Sequence, residues 1–331
     1  MTTLAERTTG RAVIAARPGQ QRARRRRLLV VFGMLLPALL GLAVFFVYPL
    51  LASIFFSLTR YDGLSDPQWI GLRNYQYLFT EDPNVWVAAG NTLWFVVIMV
   101  PVKLAFAFAV AGLLTRARRS SGVWRTLFYL PALVPPVASV VAFVFLFNPG
   151  TGPINLILSF FGVKQGPLWF NDPNLSKPSL LLLAVWVMGD VMIIFLAGLL
   201  DVPRELYEAS SLDGANGPQK LRYVTFPAMI PVLIFSLVTG VIAALQYFTE
   251  AAVASTVALG KASVGEGIGA TLGYPDNSLL TYTEWLYVRG FSNFQFGYAS
   301  ALAVLLFIVA AAFLVLFLRK VKAFMPEEAT S

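Results

Sequence analysis

The stretch PRELYEASSLDGANGPQKLRYVTFP, residues 203–227, is polar, bracketed by prolines and set in a chain that is otherwise close to lipid-soluble. Pro203 suits a first helical turn, where its missing N–H costs nothing, and Glu205 and Glu208 lie where a helix dipole favours carboxylates. Asp213-Gly214 supplies a residue able to take positive φ and so end that helix. Pro218 can open a second short helix, which Thr225-Phe226-Pro227 would stop. The expectation is two short helices joined at a glycine and lying across one face of a membrane.

Composition explains why a membrane is expected around this island. Hydrophobic residues make up 57% of the 331 positions and charged residues only 13%, with a mean hydropathy of +0.70. A soluble domain of that composition would expose far too much apolar surface, so the class is a polytopic membrane protein. The net charge is +8, yet the basic residues flank apolar runs instead of covering a soluble face. That is a topology signal and not a nucleic-acid surface. Cysteine and histidine are absent, which removes thiol chemistry, imidazole bases and the commonest zinc ligands. No catalytic or metal site is expected in the chain.

Taken in order, residues 1–27 hold eight arginines with no apolar periodicity and read as a disordered cytoplasmic tail. Residues 28–59 carry no charge over a length greater than the roughly 20 residues a spanning helix needs. They form a first helix, with Pro37, Gly41 and Pro49 as bends. A mixed loop follows at 60–85, then a second helix from about Trp86 to Leu114 that contains Lys103. A third helix runs from about Thr126 to Phe147, with Pro131, Pro135 and Pro136 near its start. The loop 148–178 includes a short interfacial helix at Ile154–Phe161, and a fourth helix from about Ser179 to Leu200 has Asp190 near its middle. The polar island precedes a fifth helix, about Met229 to Thr249. Residues 250–297 read as the longest hydrophilic excursion, before a sixth helix from about Tyr298 to Leu318 and a short tail at 323–331.

Lysine and arginine test this layout. With the N-terminus inside, the cytoplasmic segments hold 18 of them and the outer loops 6, as the positive-inside rule requires. The expected fold is all-α, with six transmembrane helices, both termini cytoplasmic, and cytoplasmic helices between helices 4 and 5. The body spans 28–322.

Within the island, Glu208-Ala209-Ser210, Asp213-Gly214-Ala215 and Val224-Thr-Phe226-Pro227 resemble the EAA motif of permease subunits in binding-protein-dependent ABC importers. That pattern is EAA, three positions, Gly, nine more, Ile, one more, Leu-Pro, and every spacing is met. Ser210, Val224 and Phe226 depart modestly from it. Arg125-Thr-Leu-Phe-Tyr-Leu-Pro131, Phe147-Asn-Pro-Gly150, Phe195-Leu-Ala-Gly198 and Phe294-Gln-Phe-Gly297 are similar to the maltose and glycerol-phosphate branch of sugar permeases.

The resemblance implies a multi-pass protein of the bacterial plasma membrane. Its partners would be a second homologous permease subunit, two ATP-binding cassette subunits and an extracellular solute-binding protein that delivers a di- or oligosaccharide. ATP and Mg²⁺ would bind the partner ATPase, and this chain would hold no cofactor. The coupling contact would come from Glu208, Ala209, Ser210, Asp213, Gly214 and Pro227. The chain also lacks the G-x-x-x-x-G-K-[ST] phosphate loop that an ATPase of its own would need.

Polar groups inside the membrane are functional candidates by default. Helical spacing would put Trp186 and Asp190 on one face, an aromatic and a carboxylate suited to a sugar. Asp190 could equally form a salt bridge with Lys103. Gln246, Tyr247 and Glu250 make a second polar cluster, Gln246 and Glu250 again four apart. Two other functions stay open: an ion-coupled secondary transporter using Asp190, and an intramembrane enzyme using Asp190 with Glu250.

Overall fold

The computed structural model describes residues 18–115, 121–163, 165–260 and 268–321. The chain divides into two compact units between Ser53 and Ile54. The first is helical from Pro18, so the last part of the expected disordered tail is helix. Gln, Arg and Ala, all good helix formers, carry it backwards out of the apolar run; residues 1–17 lie outside the described residues. The apolar helix proper, α1, is Val30–Ser57.

The second unit contains α2 (Arg73–Thr80), α3 (Pro83–Leu114), α4 (Ser121–Tyr129), α5 (Pro136–Leu146), α6 (Pro153–Phe160) and α7 (Ser176–Trp186). It continues with α8 (Gly189–Asp201), α9 (Arg204–Leu212), α10 (Gly217–Leu245), α11 (Thr249–Leu259), α12 (Tyr282–Tyr287) and α13 (Phe296–Val321). Among the described residues, α1, α3, α10 and the Phe296–Phe317 part of α13 are each long and apolar enough to cross a membrane. Two bent pairs, α4 with α5 and α7 with α8, pass the same test together. The protein is therefore a polytopic, mostly helical membrane protein. A small departure from all-α is the antiparallel pairing of Thr59–Arg60 with Gln68–Trp69. Its turn is closed by Asp62 Oδ1, which accepts from the Leu64 and Ser65 amides at 3.0 and 2.8 Å. These bonds to the charged form, with one from the Ser65 hydroxyl, hold the Asp62 carboxyl down at about 2.

Prolines act here in two ways. Widened π turns at Ala43–Val47, Phe95–Met99 and Leu221–Thr225 each end two residues before a proline: Pro49, Pro101 and Pro227. A proline has no N–H and its ring collides with the carbonyl four residues back, and the wider turn relieves both without breaking the helix. Pro227 therefore does not stop a second short helix. Gly217–Leu245 is one continuous rod, and the expected separate helix forms its opening turns, Gly217–Thr225.

Pro135-Pro136, in contrast, breaks the chain. Pro136 pushes Pro135 out of the α region (φ −53°, ψ 137°), and α4 meets α5 at 96° instead of forming one straight third helix. The expected fourth helix is also broken, by 47° between α7 and α8. There is no proline at that point, and the break coincides with a close approach at Gly189. A Cβ on Gly189 would come within 2.5 Å of the Phe128 carbonyl oxygen, so only glycine lets α8 lie against α4.

The main core gathers Phe95, Val140, Leu180, Val241 and Ala254 from α3, α5, α7, α10 and α11. A second packs Ala107 and Ala111 of α3 on Met192 and Phe195 of α8 and Met229 of α10. Over the described residues 250–260 and 268–297, the expected hydrophilic excursion is in large part buried. Helix α11 buries Ala251 and Ala254 in the main core, and Leu279, Leu280, Tyr282 and Glu284 are buried in turn. Asn91 of α3 donates to the Asn277 and Leu280 carbonyls at 2.8 and 2.9 Å, which fixes this stretch as a wall against α3.

Glu284 is fully buried in that wall. Its Oε2 accepts from the Thr281 amide at 2.7 Å, while Oε1 has no partner. Burial raises the carboxyl from 4.5 to about 8, against the pull of the Thr281 amide and hydroxyl. The unfolded chain ionises near the lower value while the folded one stays protonated. The contribution of Glu284 is therefore fully present below about 4.5 and is lost as pH rises towards about 8. Glu284→Gln is expected to flatten the decline in thermal midpoint over that window in detergent, and an unchanged slope would count against this assignment.

Candidate functional site

A cavity of about 520 Å³ lies between α3, α5, α7, α8 and α10. Each helix break contributes to its wall: Val134 from the α4–α5 break, Val187 from the α7–α8 break, and Gln246 and Tyr247 from the break that ends α10. Backbone that leaves a helix at membrane depth must be satisfied by protein or by water in a cavity. Convergence of three such breaks therefore marks the place where polar chemistry is tolerated, as at the discontinuous helices of transporters.

Asp190 and Lys103 meet on this wall, Lys103 Nζ lying 3.4 Å from Asp190 Oδ1. The Asp190 side chain is 58% exposed and that of Lys103 25%. Asp190 therefore pairs with Lys103, as one of its two readings expects, and it also lines the cavity. A pair this open is worth only about 0–1 kcal/mol. Asp190 also sits in the first turn of α8, and Glu250, another lining residue, in the first turn of α11. Both carboxylates thereby face positive helix ends.

Two spacing arguments fail. The α7–α8 break separates Trp186 from Asp190. The Trp186 ring packs on Phe143 at 5.2 Å and is absent from the cavity lining. Gln246 and Glu250 do not share a helix face, because α10 ends at Leu245 and Phe248 leaves helical geometry (φ −131°, ψ −60°). The break itself brings both to the cavity. Tyr247 lines it as well, its ring 4.8 Å from that of Phe95 and its carbonyl accepting from Thr283 Oγ1 at 2.8 Å.

Sequence reasoning missed Ser139 and Ser236. Each is buried, lines the cavity and has a hydroxyl without a hydrogen-bond partner. An unmet buried hydroxyl costs about 1–3 kcal/mol, and in this conformation each is closed off from the cavity space. Their only sequence signal is a small polar residue within an apolar helix.

The 203–227 segment forms a separate surface. Gly214 has φ +77°, and the end of α9 closes with Ala215 N–H donating to the Ser210 carbonyl at 2.9 Å and Gly214 N–H to that of Ser211 at 3.1 Å. That is the Schellman pattern, which needs a residue in the left-handed region. Asn216 and Gln219 then cap α10 reciprocally, at 3.0 and 2.8 Å. Tyr207 OH to Thr225 Oγ1 at 3.0 Å and Lys220 Nζ to Ser211 Oγ at 2.6 Å tie α9 to α10. Glu208, Ala209 and Asp213 are exposed, as is Leu212 at 90%, while Ser210 is half-buried. Glu208 has no ion-pair partner among the described residues.

Residues 103–322 match the family described as binding-protein-dependent transport system inner membrane component. The chain is 38% identical to the probable ABC transporter permease protein YesP of Bacillus subtilis (strain 168), over 90% of this chain and 92% of that one. It is 30% identical to the lactose transport system permease protein LacF of Rhizobium radiobacter, over 83% and 88%. Its fold is similar to a chain in the crystal structure of a bacterial ABC transporter that imports the acidic polysaccharide alginate. The TM-score there is 0.73 at 20% identity, covering 93% of this chain and all of the other.

Proposed function

The chain belongs to the family of binding-protein-dependent transport system inner membrane components, and on that premise we propose that it is a permease subunit importing a di- or oligosaccharide. It pairs with a second homologous permease, above two ATP-binding cassette subunits that bind ATP and Mg²⁺, and receives its cargo from an extracellular solute-binding protein. The chain crosses the membrane six times, each bent pair counting once, with both termini and the 203–227 segment in the cytoplasm.

The observation that carries the reading is the cavity, whose lining brings together Asp190, Lys103, Gln246, Glu250, Ser139 and Ser236. A sugar presents many hydroxyls that both donate and accept, and matches that mixture without needing a strong charge. The lactose permease relative supports the substrate class. In the proposed cycle the exposed face of α9, with Glu208, Ala209, Ser210 and Asp213, docks on the ATPase. Closure of the ATPase dimer then moves α9, and the Tyr207–Thr225 and Lys220–Ser211 contacts pass that movement to α10, which carries Ser236 and Thr239 into the cavity wall. An ion-coupled transporter using Asp190 is the weaker reading, because an open carboxylate beside Lys103 is a poor secluded ion site and the polar segment would have no role.

The test is saccharide-stimulated ATPase activity of the complete transporter in proteoliposomes. Ser139→Ala and Ser236→Ala are expected to raise the half-saturating saccharide concentration several-fold, each losing about 1 kcal/mol of binding, with basal ATPase unchanged. For the ion pair, Asp190→Asn should weaken saccharide stimulation more than Lys103→Met does, since only Asp190 is the more open group. Equal loss of assembled complex in both variants would reduce the pair to a structural bridge, and ion-driven uptake without ATP would sink the importer reading.

A further inference from the structure

The segment between α1 and α3 runs from Ser57 to Pro83 and joins two helices that are each long and apolar enough to cross a membrane. It folds onto protein by one face only. Asn74 Nδ2 donates to the Ser57 and Thr59 carbonyls at 2.8 and 2.9 Å, Tyr75 OH donates to Ser57 Oγ at 2.9 Å, and Leu78 is fully buried. The other side of α2 and its flanks carries large apolar groups in the open: Leu72 at 70% exposure, Phe79 at 49%, Trp69 at 63% and Trp86 at 59%.

These groups are continuous with the membrane helices at both ends. The Trp69 ring lies 6.2 Å from that of Phe55, near the end of α1, and the Phe79 ring 6.3 Å from that of Trp86, at the start of α3. Arg73 is exposed beside Leu72 and has no carboxylate partner among the described residues.

We propose that α2 is an interfacial anchor lying in the bilayer surface, with Leu72, Phe79, Trp69 and Trp86 at the boundary between headgroups and acyl chains and Arg73 turned to lipid phosphates. Tryptophan is favoured at that depth because one end of the ring is apolar and the other donates a hydrogen bond. A short amphipathic helix with a basic residue beside its apolar side fits the same layer. Lipid is favoured over a protein partner because each end of the patch is joined by a ring contact to a helix apolar enough to cross a membrane, Trp69 to Phe55 of α1 and Phe79 to Trp86 of α3. Asp82, two residues beyond α2, accepts from Trp285 Nε1 of α12 and Tyr298 OH of α13 at 2.9 and 2.8 Å, so the anchor is tied to both.

The absence of cysteine from this chain allows single spin labels to be placed in it, with the transporter assembled from the unsubstituted chain and labelled in parallel as the background to subtract. Leu72→Cys, Phe79→Cys and the hairpin variant Asp66→Cys would be labelled in the complete transporter, in nanodiscs of phosphatidylethanolamine and phosphatidylglycerol. Labels at 72 and 79 are expected to relax faster with oxygen than with a water-soluble nickel chelate, and the label at 66 in the reverse order. Nickel-dominated relaxation at 72 and 79 would place α2 in water, and shielding from both agents would put a protein partner on this face; either overturns the proposal. The result does not depend on which solute the transporter carries.

Discussion

Asp82→Ala is expected to cost the permease about 3–5 kcal/mol, the usual range for leaving one member of a buried ion pair unpartnered. The Asp82 side chain is fully buried, and its Oδ2 accepts from Arg289 at 2.9 Å, Trp285 Nε1 at 2.9 Å and Tyr298 OH at 2.8 Å. Arg289 is enclosed by the Trp285, Tyr298 and Tyr77 rings, with its guanidinium carbon 4.6, 5.3 and 5.7 Å from their centroids. One carboxylate thus ties the start of α3 to the segment before α13 and to α13 itself. Removing it leaves a cation among rings with only the longer bonds to Tyr77 OH and Gln295 Oε1, both at 3.3 Å, and takes the acceptor from Trp285 Nε1 and Tyr298 OH. Thermal unfolding of detergent-purified protein should show the loss, with much less assembled complex recovered. Asp82→Ala combined with Arg289→Met removes both charges and is expected to recover a good part of the midpoint, since neighbouring sites are not additive. If the double variant is as unstable as the sum of the singles, the pair is not the source of the effect.

Gly214→Pro is expected to abolish substrate-stimulated ATPase activity while leaving membrane insertion intact. Proline holds φ near −65°, whereas Gly214 sits at +77°, and the substitution also deletes the N–H bonded to the Ser211 carbonyl. The end of α9 would swing out of register with α10, and Glu208 with it. Gly214→Ala, which strains the left-handed conformation by about 1–2 kcal/mol, should give an intermediate loss. Because the segment is exposed, the membrane body should fold as before, and the measurement is ATPase activity per assembled complex. Full coupling in the proline variant would remove the segment from the proposed transmission path.

The long apolar runs could be read directly from the chain, since any helix that crosses a bilayer must satisfy its backbone internally and be apolar along its length. The turn at Gly214 was equally readable, because a Schellman closure depends on local φ and a capping box on residues three apart. Lys103 and Asp190 stood out for a similar reason: a charge in an apolar run is anomalous wherever it packs. Nearest-neighbour chemistry decides all of these.

What the chain could not disclose depends on contacts between residues distant in sequence. The break before Gly189 coincides with the approach of Phe128 to its backbone, and that break is what turns Trp186 onto Phe143 and leaves Asp190 at the cavity. The end of α10 at Leu245 likewise brings Gln246 and Glu250 to one volume by a bend and not by helical period. Asp82 looked like one acid in a mixed loop until Arg289, Trp285 and Tyr298 closed around it. Periodicity along a chain assumes an unbroken helix, and packing chose where these helices break; the polar segment at 203–227 could be read from its own residues, but the cavity it is proposed to drive could only be found in three dimensions.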